Sequence, residues 1–301
     1  MKLNNLLNLI SDVANRNYIP QPFICGGAPR DKILGLIKKE IPDIDITCGS
    51  AKVHNLSVEV GLELKKHYSI KEKKGDDGHS SIFIGDFKLD FSAGFNTPNI
   101  DAHLHHLGIK DPTSMQREMF SRDFTCNALL MDLDLTKITD PTKLGLPDIK
   151  KRLLKTCLDP DTTFRYNTNR IIRTVYLSAK LDFDVDPEII EWISAHKDFV
   201  RISSDHYLTT NIDKAMSKNP ERAIDLINKT NLWDVIPTTD SLRPYLNKRV
   251  APKTAQLRKN YDLGEGLYEN LDRYKSVSDF RRKRRKKRMR LIKRIKDTKL
   301  K

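Results

Sequence analysis

No run of this chain approaches the roughly 20 consecutive apolar residues that a membrane span needs. Its N-terminal stretch, Met1 to Arg16, sets Leu3, Leu6, Leu7, Ile10 and Val13 at helical spacing but interrupts them with Asn4, Asn5 and Asn8. That pattern predicts an amphipathic helix and not a signal peptide. Cysteine is equally sparse. Cys25, Cys48, Cys126 and Cys157 include no C-x-x-C pair, which argues against a disulfide frame or a zinc site and for reduced thiols in a soluble, cytoplasmic protein. Histidine clusters once, at His103, His105 and His106 beside Asp101, with no second Cys/His group to complete a metal site, so a solvated loop is expected there. No internal repeat is found.

What the chain has in excess is positive charge, and it is unevenly placed. The net charge is +14 over 301 residues. Between Arg281 and Lys301 there are 14 Lys or Arg against a single acid, Asp297, which leaves the rest of the chain close to neutral. A tail of this density points to a polyanion partner, with Arg281, Arg282, Lys283, Arg284, Arg285, Lys286, Lys287 and Arg288 as RNA-binding candidates. A solvated helix or a localisation signal would show the same composition.

The periodicity divides the chain into three regions. Residues 1–146 alternate short β-like and helical runs, as a mixed α/β domain does. Phe23-Ile24-Cys25 predicts a strand ending in Gly26-Gly27, with a helix from Arg30 to Lys39. Ile41 to Thr47 predicts a second strand, and Val53 to Lys66 a helix. Ser81 to Ile84 and Phe87 to Phe91 predict a hairpin across the Gly85-Asp86 turn, and Phe95 to Ser114, with Pro98 and Pro112, an irregular loop. Residues 147–236 predict an all-helical region, with segments near 161–181, 187–196, 204–217 and 220–230 and prolines at tolerated helix starts. Residues 237–301 are a polar linker and the basic tail. The fold class is therefore α+β, a mixed head followed by helices.

Two motifs carry the chemistry. Asp43 and Asp45 lie two apart on a predicted strand, so both carboxylates share one face while Ile44 and Ile46 take the other. Two carboxylates on a rigid face suit hard cations such as Mg²⁺, and a metal pair can activate a hydroxyl and stabilise a leaving pyrophosphate. Alone, such a pair is also an ordinary surface feature. Upstream, Gly26-Gly27-Ala28-Pro29-Arg30-Asp31 joins a strand to a helix. Its glycines let backbone N–H groups approach a phosphate at a helix N-terminus, and Arg30 and Asp31 add a cation and a carboxylate. Asp90 shares a hairpin face with Lys88; it is either a third carboxylate of the cleft or a solvent-facing partner of that lysine.

With these motifs in order, followed by Arg122-Asp123-Phe124-Thr125-Cys126-Asn127-Ala128, the sequence resembles the class II tRNA nucleotidyltransferase and bacterial poly(A) polymerase family. The resemblance covers roughly residues 20 to 185, including Asp140-Pro141, Leu146-Pro147-Asp148-Ile149 and Arg170-Ile171-Ile172-Arg173. It implies a nucleotidyltransferase head, a helical neck and a shortened body. It also implies template-independent addition of C and A, or of A alone, to an RNA 3′ end such as that of tRNA. Two Mg²⁺ ions and ATP or CTP would be required. Arg122, Asp123 and Asn127 would contact ribose and triphosphate.

The family's base-selecting Glu-Asp-x-x-Arg reads Tyr166-Asn167-Thr168-Asn169-Arg170 here, so Asn167 replaces the Asp while Arg170 remains. An Asn amide offers an acceptor and a donor, which bears on base choice more than on catalysis. Ser121 likewise stands where the family usually has an Arg. Two other readings stay open on the sequence: an inactive RNA-binding relative, and transfer to a protein or small-molecule acceptor.

The tail yields a direct expectation. If about five of its charges meet phosphates, the log–log dependence of RNA affinity on salt steepens by ~3.5. Deleting Arg281 to Lys301 should raise the KM for RNA at moderate salt and flatten that slope, leaving kcat at saturating RNA nearly unchanged. An unaltered KM and slope would assign the tail to localisation alone.

Overall fold

The computed structural model describes residues 1–37, 41–74, 79–93 and 96–248. The basic tail, with its RNA-binding candidates Arg281 to Arg288, lies outside the described residues, as do Lys38 and Lys39. The described chain divides into two compact units, the first formed by Met1–Tyr166 with Phe183–Ile189 and the second by Asn167–Asp182 with the residues from Ile190 on. The first unit thus runs past the boundary expected at 146, to Tyr166.

The amphipathic N-terminal stretch is helix α1 (Leu3–Arg16), with Leu6, Leu7 and Ile10 fully buried. Strand β1 (Phe23–Cys25) leads through Gly26 into α2 (Gly27–Ile33). That helix starts earlier and stops sooner than the expected Arg30 to Lys39. Gly35, at φ +67°, ends it: its N–H bonds the Lys32 carbonyl and the Leu36 N–H bonds that of Asp31, the pairing of a left-handed glycine cap. Strand β2 (Asp43–Thr47) and helix α3 (Val53–Lys65) follow as the patterning predicts.

Strands β3 (Lys71–Lys74), β4 (Ser80–Ile84) and β5 (Phe87–Phe91) come next. The expected hairpin is β4–β5, closed at Ile84 and Phe87, with Gly85 supplying the positive φ of a tight turn. The expected loop from Phe95 to Ser114 is not wholly irregular. It holds α4 (Ile100–His106), which buries Ile100 and Leu104 one turn apart, and α5 (Ser114–Phe120) begins at Thr113 through a capping box with Gln116. Pro98 and Pro112 flank α4 instead of breaking it. The histidines therefore sit on a helix, with His105 and His106 exposed. Short strands β6 (Leu130–Met131) and β7 (Ile138–Thr139), helix α6 (Gly145–Lys150) and strand β8 (Leu153–Leu154) complete the run to α7 (Pro160–Tyr166).

Among the described residues seven strands form one sheet in the order β3-β4-β5-β2-β1-β6-β7. All neighbours are antiparallel except β2 and β5, which run parallel. On one face Ile24, Ile44, Ile46, Leu89 and Phe91 pack with α1 and α3 residues such as Leu6, Ile10, Leu56 and Val60 in a single core. Cys25 points the other way, into a smaller cluster with Leu104, Met119 and Phe120. The sheet is thus covered by helices on its Ile-rich face, while the opposite face carries the polar residues of β2.

The second unit is helical. Its α8 (Asn169–Leu181) packs against α10 (Asp205–Lys218) and α11 (Pro220–Lys229), burying Ile171, Val175, Leu208, Ile212 and Ile227. Asp182 ends α8 in the left-handed region. The acidic run Asp182 to Asp186 also contains β9 (Asp184–Val185), which returns to the first unit and pairs with β8, before α9 (Pro187–Ala195).

Candidate active site

The parallel pairing of β2 with β5 sets Asp43 beside Lys88 and Asp45 beside Asp90. Because residues two apart share a face, these four side chains form a square on the face away from the α1 and α3 core. Lys88 Nζ bonds Asp90 Oδ2 and, at 3.3 Å, Asp43 Oδ1, while Ser81 Oγ donates to Asp90 Oδ1 at 2.6 Å. Asp90 therefore pairs with Lys88 and lies on the Asp45 face, with its side chain only 16% exposed and so not solvent-facing. Burial opposes the Lys88 charge, but Asp90 and Asp43 hold the ammonium above its usual value.

Antiparallel pairing on the other side sets Cys25 beside Asp45. Just beyond it, Gly26 has φ +74°, and a Cβ there would overlap Asp45 Oδ2. This glycine is required by carboxylate packing as well as by its backbone angle, a reason the sequence reading, which assigned it to phosphate approach, did not anticipate. Burial pushes the Asp45 carboxyl above its ordinary range; Arg122 pulls it back, and Asp43 and Asp90 add to the rise.

Arg122 follows the end of α5 and is fixed from several sides. Its Nη2 donates to Cys25 Sγ at 2.8 Å and to Glu118 Oε1 at 3.4 Å. Glu118 is itself buried and accepts from Thr47 Oγ1 at 2.8 Å. Arg122 Nε is buried without a protein partner. Burial pushes the Cys25 thiol up to about 12, so this sulfur stays protonated and acts as an acceptor rather than a nucleophile.

Arg30, Asp31, Asp123 and Asn127 form a second network. Arg30 is buried, with Nε and Nη2 on Asp31 Oδ1 at 2.8 and 2.6 Å and Nη1 on Asn127 Oδ1. Asn127 Nδ2 and the Phe124 N–H both donate to Asp123 Oδ1 at 2.9 Å. Gly27 makes room for the guanidinium: a Cβ there would lie 3.0 Å from Arg30 Nη2. The sequence-predicted residues Gly26, Gly27, Arg30, Asp31, Asp43, Asp45, Asp90, Arg122, Asp123 and Asn127 are thus joined through β1, β2, β5 and the Phe124–Asn127 turn. Within that set, Arg30 and Asn127 spend their polar atoms on each other and on neighbouring side chains.

Asn167, Arg170 and Arg173 belong to the second unit. Asn167 is exposed in the break between α7 and α8, where one continuous helix was expected. Its Oδ1 accepts from the Asn169 N–H at 3.0 Å, and the Arg170 N–H bonds its carbonyl at 3.1 Å. Arg170 and Arg173 lie in the first turns of α8.

Glu118, Thr47 and the bridging role of Lys88 were not foreseen. The signal for Glu118 was its spacing four residues before Arg122 on one helical turn. Its bond to Thr47 could only be known once α5 was docked on β2.

The donor set suits hard divalent cations, since Asp43, Asp45 and Asp90 present oxygens only. Among the described residues no three acidic, His or Cys side chains close into a metal cage. Mg²⁺ does not require one, because it is commonly held by one or two carboxylates with phosphate and water filling its shell.

Residues 22–155 match the family described as the poly A polymerase head domain. The chain is 25% identical over 229 residues to a CCA-adding enzyme of Levilactobacillus brevis, spanning 72% of this chain and 52% of that one. It is also 25% identical over 267 residues to a tRNA nucleotidyltransferase of Schizosaccharomyces pombe, spanning 82% and 52%. The chain therefore spans about half the length of these curated relatives. In fold it is similar to the Bacillus stearothermophilus CCA-adding enzyme solved with CTP, with a TM-score of 0.58, 20% identity, and coverage of 83% of this chain and 58% of that one.

Asp45 gives a pH-dependent expectation. A carboxyl whose folded pKa is raised binds its proton more tightly when folded. Stability from this group therefore falls as pH climbs from the unfolded value of 3.8 through the higher folded one, and the penalty stays constant above it. Asp45→Asn should raise the Tm of the metal-free protein at pH 8, and the gain should shrink as pH is lowered through the raised folded value toward 3.8. A Tm equal to or below wild type at pH 8 would show that Arg122 fully compensates the buried charge.

Proposed function

We propose that this protein is an RNA 3′-end nucleotidyltransferase that adds C and A residues, or A alone, from CTP and ATP to an acceptor such as tRNA, in the cytoplasm. The observation that carries this reading is the placement of Asp43, Asp45 and Asp90 on one sheet face, with Arg122 fixed beside Asp45. The match of residues 22–155 to the poly A polymerase head domain and the fold similarity to an enzyme solved with CTP support it. Among the described residues no helix is long and apolar enough to cross a membrane.

Asp43 and Asp45, with Asp90 alongside, would hold two Mg²⁺ ions. When bound, such ions neutralise phosphate charge and favour the deprotonated attacking hydroxyl. Arg122 supplies a cation that is already ordered, so little reorganisation is needed as charge develops on the transferring phosphate. Its unpartnered Nε keeps a donor in reserve. The network of Arg30, Asp31, Asp123 and Asn127 braces the Gly26-Gly27 turn, and through it the position of Asp45. Its polar atoms are engaged internally, so we assign it a positioning role ahead of direct triphosphate contact.

Base choice is assigned to Asn167 and Arg170, with Arg173 in support. Since the Asn167 oxygen is turned to the Asn169 N–H, its amide donor faces outward. That weakens recognition of the exocyclic amine that distinguishes A and C from G and U.

Incubation with each labelled NTP and tRNA lacking its 3′ end should give incorporation from CTP or ATP. Asp43→Ala and Asp45→Ala should each reduce it by several orders of magnitude with the circular dichroism spectrum unchanged. Near-normal turnover of either variant in Mg²⁺ would overturn the carboxylate assignment, and wild-type incorporation of no nucleotide would overturn the function. Asn167→Asp, which offers acceptors alone, should sharpen the preference for ATP and CTP over GTP and UTP. Unchanged ratios would remove Asn167 from base selection.

A further inference from the structure

Lys88 occupies the fourth corner of the carboxylate square. It stands beside Asp43 across the parallel pair and two residues before Asp90 on β5, and its ammonium bonds both of their carboxylates. The contacts are unequal in setting: the Asp90 side chain is 16% exposed and that of Asp43 67%. The Asp90 oxygens are shared between Lys88 and Ser81. Asp45 is left with Arg122 as its principal cation. The square thus carries three negative charges and one positive charge of its own.

We propose that Lys88 is a resident counter-cation that competes with divalent ions for Asp43 and Asp90, setting the metal affinity of the site. The inference rests on the carboxylates binding metal as proposed above. A divalent ion seated on Asp43 and Asp90 would meet the ammonium at close range, so Lys88 must withdraw or the ion binds weakly. The four-carbon stem of lysine allows withdrawal without backbone movement. A bound nucleotide would aid it, because triphosphate oxygens offer the ammonium an alternative partner as the ions arrive. Metal and nucleotide would then bind cooperatively, and loading by metal alone would be held low.

The test is a titration of the full chain with Mn²⁺ alone, without nucleotide, followed by electron paramagnetic resonance and by thermal melting. Lys88→Gln keeps a hydrogen-bond donor and removes the charge; it should bind Mn²⁺ about tenfold more tightly, a conservative figure for one charge repelling a divalent ion near a protein surface. Lys88→Arg should bind as wild type does. Without divalent ions Lys88→Gln should melt below wild type, and it should gain more in Tm from Mn²⁺. Should the Gln variant fail to fold, Lys88→Met carries the same expectation. Mn²⁺ affinity equal to or weaker than wild type in the neutral variants overturns the proposal while leaving the carboxylate site standing. If wild type takes up no more Mn²⁺ than Asp45→Asn does, the metal reading itself fails and the role of Lys88 falls with it.

Discussion

The Asp45 carboxylate lies against Gly26, largely out of water, where its charge is disfavoured and one guanidinium offsets part of the cost. Much of the first unit can be understood as what that contact requires. Position 26 must be glycine, since any Cβ would overlap the carboxylate and φ is positive. Arg122 must be held still, which explains why a buried glutamate, a thiol and a strand threonine converge around it. A buried arginine with a single weak partner would be costly; distributing its contacts over β1, β2 and α5 ties three elements to one charge.

The same contact sets a tension between stability and chemistry. A neutral side chain at position 45 would avoid the cost of burying a charge, whereas the proposed metal role favours a carboxylate there. Sites of this kind are held by the surrounding structure and not by their own preferences. Here the surroundings are the Ile-rich sheet face and its two helices, which fix β2 from behind, and the Arg30–Asn127 network, which fixes the turn from the front.

Much of this was legible in the residues. The alternation Asp43-Ile44-Asp45-Ile46 specified a strand with one polar and one core face, and Gly85-Asp86 specified the hairpin that delivers Asp90. What escaped was of two kinds. Lys71-Glu72-Lys73-Lys74 has no apolar residue and becomes a strand only by pairing with β4, a tertiary cause that no local pattern records. Helix α4 was masked by prolines read as breakers, although Ile100 and Leu104 mark its buried stripe. The polar network around Arg122 joins residues from 25 to 122, and charge type alone does not say which distant partner an arginine will choose. The fork of Arg30 to Asp31 and Asn127 escaped for the same reason: the sequence offers a cation near a glycine turn without naming the side chains it will bond.

Strand β3 ends the sheet, and all four of its side chains are exposed. An open edge with unpaired backbone groups invites pairing with another chain. Here a second copy approaching along the same edge would bring a strand of three lysines and one glutamate against its like, and like charges opposite each other are destabilising. The strand that looks least like one thus places net positive charge on the edge of the sheet that carries Asp43, Asp45 and Asp90.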